Sequence, residues 1–190
     1  MRRPRLIVML KEPRAGRVKT RLGADIGMTA AAWWFRHQVR ALLRRLEDPR
    51  WELVLAVSPD RDGMQSRIWP AHLPRIAQGQ GDLGARMARQ FDACGMQSAL
   101  IIGADIPGIT KRHIAEAFAQ LHAHDAVIGP APDGGYWSIG LRVPARRPRG
   151  MFAHVRWSGP HALGDTCATM PGLRIAQLES LQDVDTAQDL

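Results

Sequence analysis

Four continuous apolar runs stand out along the chain: Leu6-Ile7-Val8-Met9-Leu10, Leu53-Val54-Leu55-Ala56-Val57, Ala99-Leu100-Ile101-Ile102 and Ala126-Val127-Ile128. None alternates with polar residues, which is the pattern of strands buried on both faces of a sheet. Helical signals fall between them. Thr29 can cap a helix over residues 30–46, a second helix begins near Asp82, and Thr110 caps a third that runs to about His122. Arg174-Ile175-Ala176 predicts a short further strand. The alternation predicts an open, doubly wound α/β sheet, in which ligands bind beyond the carboxyl ends of the strands. No repeat or linker divides the chain, so residues 1–190 are expected to form one domain.

Three loops follow predicted strands and carry the candidate chemistry. The first, residues 11–22, combines Lys11, Lys19 and three arginines with Pro13 and Gly16. Mobile cations and backbone N–H groups directly after a buried strand suit phosphate. It is not a Walker loop, because Val18 precedes Lys19-Thr20 where glycine is required. The second is Gly103-Ala104-Asp105-Ile106-Pro107-Gly108, which sets a carboxylate just past a strand. Asp105 could be a simple turn residue, but a hard divalent ion shared with substrate phosphates is the functional expectation. The third, Asp133-Gly134-Gly135-Tyr136-Trp137, joins a carboxylate, two residues permitting close backbone approach and two aromatic faces. It is expected to bind substrate, although Asp-Gly is also an ordinary hairpin turn.

Gly79-Gln80-Gly81-Asp82-Leu83-Gly84 matches GxGxxG only formally. It does not follow the first strand, and its central carboxylate would face the pyrophosphate it should cradle. A helix N-terminus near Asp82 or a substrate-contacting turn is the better reading, with Arg86 one turn on, available for an anion.

Composition narrows the classes. The content of 45% hydrophobic residues can fill a core. No apolar run approaches the roughly 20 residues needed to cross a bilayer, and the stretch after Arg5 is too short for a signal peptide. The expected compartment is therefore the cytoplasm, with no membrane partner. Cys94 and Cys167 show no metal or disulfide spacing and are expected to be reduced and structural. The net charge of +8 and pI near 10.9 would suit nucleic acid, but the arginines are spread over the chain, which disfavours it; anionic small molecules fit equally. Only three cations are lysines, Lys11, Lys19 and Lys111, and two of them lie in the first loop.

Six segments occur in order: Lys11-x-Pro13-x-x-Gly16-x-Val18-Lys19-Thr20-Arg21-Leu22, Gln80-Gly81-Asp82-Leu83-Gly84-x-Arg86-Met87, Gly103-x-Asp105-x-Pro107-Gly108, Asp133-Gly134-Gly135-Tyr136, Trp157-Ser158 and Asp183-Val184-Asp185-Thr186. Together they resemble the glycosyltransferase-like transferases found with radical-SAM and selenodomain proteins, which are related to cofactor guanylyltransferases. The resemblance covers nearly the whole chain and departs from the family at Ile106, Trp137 and Gln188. It implies a single GT-A-like fold with a mixed, mostly parallel central sheet flanked by helices. It also matches Asp105 to a metal-binding carboxylate and Asp185 to a second one returning to the same site.

The resulting expectation is a transferase dependent on Mg2+ or Mn2+ that acts on a nucleotide-activated small molecule, with the acceptor and oligomeric state open. Glycosyl transfer from a nucleotide-diphosphosugar is preferred; nucleotidyl transfer with release of pyrophosphate and a non-catalytic nucleotide or nucleic-acid-binding module are the alternatives. Phosphate contacts are expected from Lys11, Pro13, Gly16, Lys19, Thr20, Arg21, Gly81, Asp82 and Arg86. Substrate contacts are expected from Asp133, Gly134, Gly135, Tyr136 and Trp157. Lys19, Asp105 and Asp133 are the expected catalytic residues, with Asp105 and Asp185 holding the metal.

Overall fold

The computed structural model describes residues 3–189. The first apolar run forms β1 (Arg5–Lys11), and the next strands are β2 (Glu52–Ser58), β3 (Arg75–Ala77) and β4 (Ala99–Gly103). β5 (Ala126–Pro130), β6 (Tyr136–Leu141) and β7 (Ile175–Gln177) complete one seven-stranded sheet in the order β3-β2-β1-β4-β6-β5-β7. Every pairing is parallel except those of β6, which runs antiparallel to both β4 and β5. The sheet is thus mixed and mostly parallel, as the family resemblance implied.

Alternation within the buried strands builds the two faces of the core. Leu6, Val8 and Leu10 of β1 join Leu55, Leu100 and Ile102 on one side. That side is covered by α2 (Met28–Leu46) and α5 (Lys111–Ala123) through Val39, Leu42, Leu43, Ile114 and Leu121. Ile7, Ala56, Ile101 and Ile139 point the other way. There they meet Met87 and Phe91 of α4 (Leu83–Asp92), together with Met151, Phe152 and Met170. Burying both faces requires helices on both faces, and the apolar stripes of the helices supply them. No helix among the described residues is long and apolar enough to cross a membrane.

Several local expectations change. Thr29 is not a cap: α2 begins at Met28, after Gly27 at φ 94°. Residues 11–22 are not wholly loop, because α1 (Thr20–Ile26) starts within them. β3 is too short, and too exposed at the sheet edge, to give an apolar run. β6 was hidden by two polar or small residues, Ser138 and Gly140. Gly140 is required where it lies: a Cβ there would come within 2.8 Å of Val127 and 3.1 Å of the Ala99 carbonyl, in the squeeze between β4 and β5. The Asp-Gly turn reading holds, since Asp133 and Gly134 lie in the connection from β5 to antiparallel β6.

Candidate active site at the carboxyl edge of the sheet

β1, β4 and β5 end, and β6 begins, on one edge of the sheet, where a crevice of about 780 Å3 opens. One wall is formed by Arg17, Lys19, Thr20 and Arg21, and the floor includes Asp105 and Asp185. Gly81, Asp82 and Arg86 line a second wall, and Asp133, Gly135, Tyr136 and Trp157 a third. Lys11 stands at the exposed end of β1 and also borders it. Pro13, Gly16 and Gly134 do not. Gly16 turns an exposed loop at φ +73°, while Gly134, at φ +84°, is pressed against Pro160, whose carbonyl would lie 2.4 Å from a Cβ.

Lys19 is the centre of this edge. It precedes α1 in a left-handed conformation, φ 46° and ψ 51°, which is uncommon for a lysine and is held against a small steric cost. Its ammonium lies 2.7 Å from Oδ2 of Asp105 and 2.7 Å from Oδ1 of Asp185. Only 6% of the Lys19 side chain is exposed, against about a third of each carboxylate. Burial opposes the ammonium charge, but the two carboxylates outweigh it and hold the lysine above its ordinary pKa. Arg21 donates to the other oxygen of Asp185 at 3.1 Å. The expected phosphate lysine and the expected metal carboxylates are therefore in direct contact.

A third carboxylate joins them. Val184 is buried, Asp183 and Asp185 flank it, and each of Asp105, Asp183 and Asp185 can offer an oxygen within 4.8 Å of the others. Three hard donors at that spacing suit a divalent ion such as Mg2+ or Mn2+. Burial first, and then the charges of Asp185 and Asp105, push the Asp183 carboxyl above its usual range, with Lys19 pulling partly back. An added divalent charge would relieve that mutual repulsion. The sequence carried the signal in its Asp-x-Asp spacing, but only Asp185 had been singled out.

The remaining expected residues differ in how they are engaged. Asp82 caps α4, its Oδ1 accepting from the Ala85 N–H at 2.8 Å, and Arg86 donates to the Gly81 carbonyl at 3.0 Å. Asp133 is exposed and accepts from the Gly135 N–H at 2.9 Å. The Tyr136 hydroxyl accepts from Thr166 at 3.3 Å; burial raises its pKa further above the ordinary phenol value. Trp157 rests on Gly84, where a Cβ would approach its ring to 2.8 Å, and its indole N–H has no partner among the described residues. Trp137 is 2% exposed and donates to the Glu179 carbonyl, so its ring is anchored in the core.

Gln78 was not anticipated. It is 4% exposed and its Nε2 donates to the Leu10 carbonyl at 3.1 Å and the Ala56 carbonyl at 2.8 Å. Two carbonyl acceptors fix the amide orientation, since the flipped amide would oppose oxygen to oxygen. Oε1 is then left toward Arg86, whose Nη1 is 3.5 Å away at the crevice wall.

Comparison with known proteins places this geometry in a family. The bacterial family described as uncharacterized protein conserved in bacteria (DUF2064) matches residues 41–159, more than half of the chain. The chain belongs to the DUF2064 family. A search of curated proteins gives no match to it. Among solved structures, a protein from Desulfovibrio desulfuricans G20, provisionally named a nucleotide-diphospho-sugar transferase, is 30% identical to this DUF2064 chain. It has a TM-score of 0.88, and the match covers 100% of this chain and 85% of the other. Two more distant structures share the fold. The Rv0371C manganese complex from Mycobacterium tuberculosis H37Rv is 13% identical with TM-score 0.57, covering 98% of this chain and 95% of that one. CMP:2-keto-3-deoxy-manno-octonic acid synthetase complexed with CTP is 12% identical with TM-score 0.57, covering 98% and 94%. The region matched to DUF2064 includes Asp105 and Asp133 but stops short of Lys19 and of Asp183 and Asp185, which the tertiary fold returns to the same crevice.

Proposed function

We propose that this protein is a metal-dependent transferase acting on a nucleotide-diphosphosugar, with its reaction centre at Asp105, Asp183 and Asp185. The observation that carries the reading is the meeting of three carboxylates, drawn from segments 78 residues apart, opposite the cations of residues 17–21 in one crevice. Carboxylates alone would repel a diphosphate; beside a divalent ion they become its anchor. The likeness to a structure named for nucleotide-diphospho-sugar transfer favours the glycosyl reaction over the other transfers this fold supports.

Asp105, Asp183 and Asp185 would hold Mg2+ or Mn2+, which when bound stabilises the charge developing on the departing diphosphate. Arg17, Arg21 and Arg86 neutralise phosphate oxygens from the crevice walls, and Lys19 adds a buried point charge at their meeting point. Gln78 fixes the inner end of the crevice. Asp133, Tyr136 and Trp157 form the opposite wall, where they line the space for a sugar or acceptor. Asp133 is exposed at that wall and is suited to accept a proton from an acceptor hydroxyl.

The direct test is incubation of the protein and Mn2+ with a panel of nucleotide sugars and nucleoside triphosphates, with both possible leaving groups measured. Release of nucleoside diphosphate from a nucleotide sugar supports the reading. Release of pyrophosphate from a triphosphate would reassign the same residues to nucleotidyl transfer, and release of neither from any compound would reject a transferase.

A further inference from the structure

The contact between Lys19 and the carboxylates raises a question of order. A metal ion and an ammonium compete for the same carboxylate oxygens, and Lys19 already takes Oδ2 of Asp105 and Oδ1 of Asp185. Arg21 takes Oδ2 of Asp185 as well. Three carboxylates against these two cations leave a net charge of minus one at the cluster, so the protein largely balances its own acidic cleft.

We propose that Lys19 is a built-in counter-ion that holds the carboxylate cleft until a diphosphate arrives, so that divalent metal and diphosphate enter together and metal alone binds weakly. The proposal rests on the metal reading above. A metal ion arriving alone must displace the ammonium of a lysine whose side chain is only 6% exposed and which has no other carboxylate within ion-pair distance among the described residues. Of the remaining charged neighbours on that side, Arg17 and Arg21 are cations, and Asp183 is the third carboxylate that the metal itself would take. A diphosphate changes the balance by giving the ammonium new oxygens, leaving Asp105 and Asp185 free for the metal. Lys19 also holds a left-handed backbone conformation at the start of α1, outside β1. In population terms, the metal-competent state is a minor fraction until diphosphate raises it, and apparent metal affinity is reduced by that fraction.

The test measures Mn2+ binding by the loss of the free-ion electron paramagnetic resonance signal, on the full chain and on Lys19→Met, with Mn2+ alone and with methylenediphosphonate. The proposal expects weak binding of Mn2+ alone by the parent and binding at least about tenfold tighter by Lys19→Met. Measured against a protein-free control holding the same Mn2+ and methylenediphosphonate, the diphosphonate should tighten Mn2+ binding in the parent and far less in the variant. Equal affinity of parent and variant for Mn2+ alone overturns the proposal while leaving the metal site standing. Binding of no Mn2+ by the parent, with or without diphosphonate, overturns both.

Because Lys19→Met removes a buried charge and could fail to fold, a second measurement uses the parent only. With three lysines in the chain, the side-chain 15N resonances of lysine-labelled protein are few, and Lys11→Arg and Lys111→Arg identify the Lys19 signal. The Lys19 ammonium resonance should persist unchanged in millimolar Mg2+ and shift when methylenediphosphonate is added with it. A shift with Mg2+ alone contradicts the proposal.

Discussion

The main-chain N–H of Val184 donates to the carbonyl oxygen of Asp105 across 3.2 Å. This one bond ties the C-terminal segment to the loop after β4. Val184 is buried, which turns its neighbours Asp183 and Asp185 toward the cluster. Asp189 steadies the same segment by accepting from the N–H groups of Asp185 and Thr186.

Val184→Pro removes the N–H while keeping an apolar side chain. The sheet should stay folded, but metal should no longer strengthen nucleotide binding, because Asp183 and Asp185 lose their position. Val184→Ala keeps the donor and should retain the metal effect with a modest fall in thermal midpoint. Titration of nucleotide with and without Mn2+ on the two variants checks this; retention of the full metal effect in Val184→Pro would show that the bond is incidental.

Gln78 connects the strand ends to the crevice wall. Gln78→Met has nearly the same volume but loses both bonds to main-chain carbonyls, which should cost about 1–2 kcal/mol of stability. Nucleotide affinity should fall as well, since Arg86 loses its neighbouring acceptor. Denaturant unfolding combined with nucleotide titration separates the two effects. A variant that is less stable but binds nucleotide like the parent would confine Gln78 to a structural role.

At the opposite edge of the sheet, Asp125 accepts from the Arg174 N–H and pairs with Arg142, joining β5, β6 and β7. The backbone bond from Arg174, followed by the arginine charges of Arg142 and Arg174, holds its carboxyl below the usual range. A carboxyl depressed by folding contributes stability that is fully present above its unfolded pKa, about 3.9, and is lost as pH falls through the folded value. Parent and Asp125→Asn should therefore differ in thermal midpoint at pH 7 and converge under strong acid. A difference of constant size from pH 7 into acid would mean the pair contributes by shape rather than charge.

The four apolar runs were legible as strands because their burial on both faces leaves no polar position. The three short or interrupted strands were less so. Arg174-Ile175-Ala176 was found, β3 was missed for its length, and β6 for Ser138 and Gly140, whose small side chains answer to the crowding between β4 and β5. At the site, Asp105 could be read from its place just past a strand, and α4 from the capping pattern at Asp82. What could not be read is pairing across the chain. Lys19 and Asp185 are 166 residues apart, and nothing local reveals that the lysine sits on the carboxylates. A lysine on a solvated loop could be removed without affecting thermal unfolding, whereas removing a buried one paired with two carboxylates leaves their charges uncompensated. Gln78 gave no signal because its role depends on carbonyls of two other strands.

If Asp105 holds a metal that brings a nucleotide diphosphate into the crevice, removing its charge removes the metal's effect on binding. Asp105→Asn keeps the shape of the side chain and removes its charge. Calorimetric titration of nucleotide diphosphate with and without Mn2+, on the parent and on Asp105→Asn, is the most direct measurement. Mn2+ should strengthen binding strongly in the parent and leave the variant unaffected, with both proteins folded by circular dichroism. If Mn2+ strengthens binding equally in both, Asp105 is a turn residue and the metal-dependent transferase account is wrong.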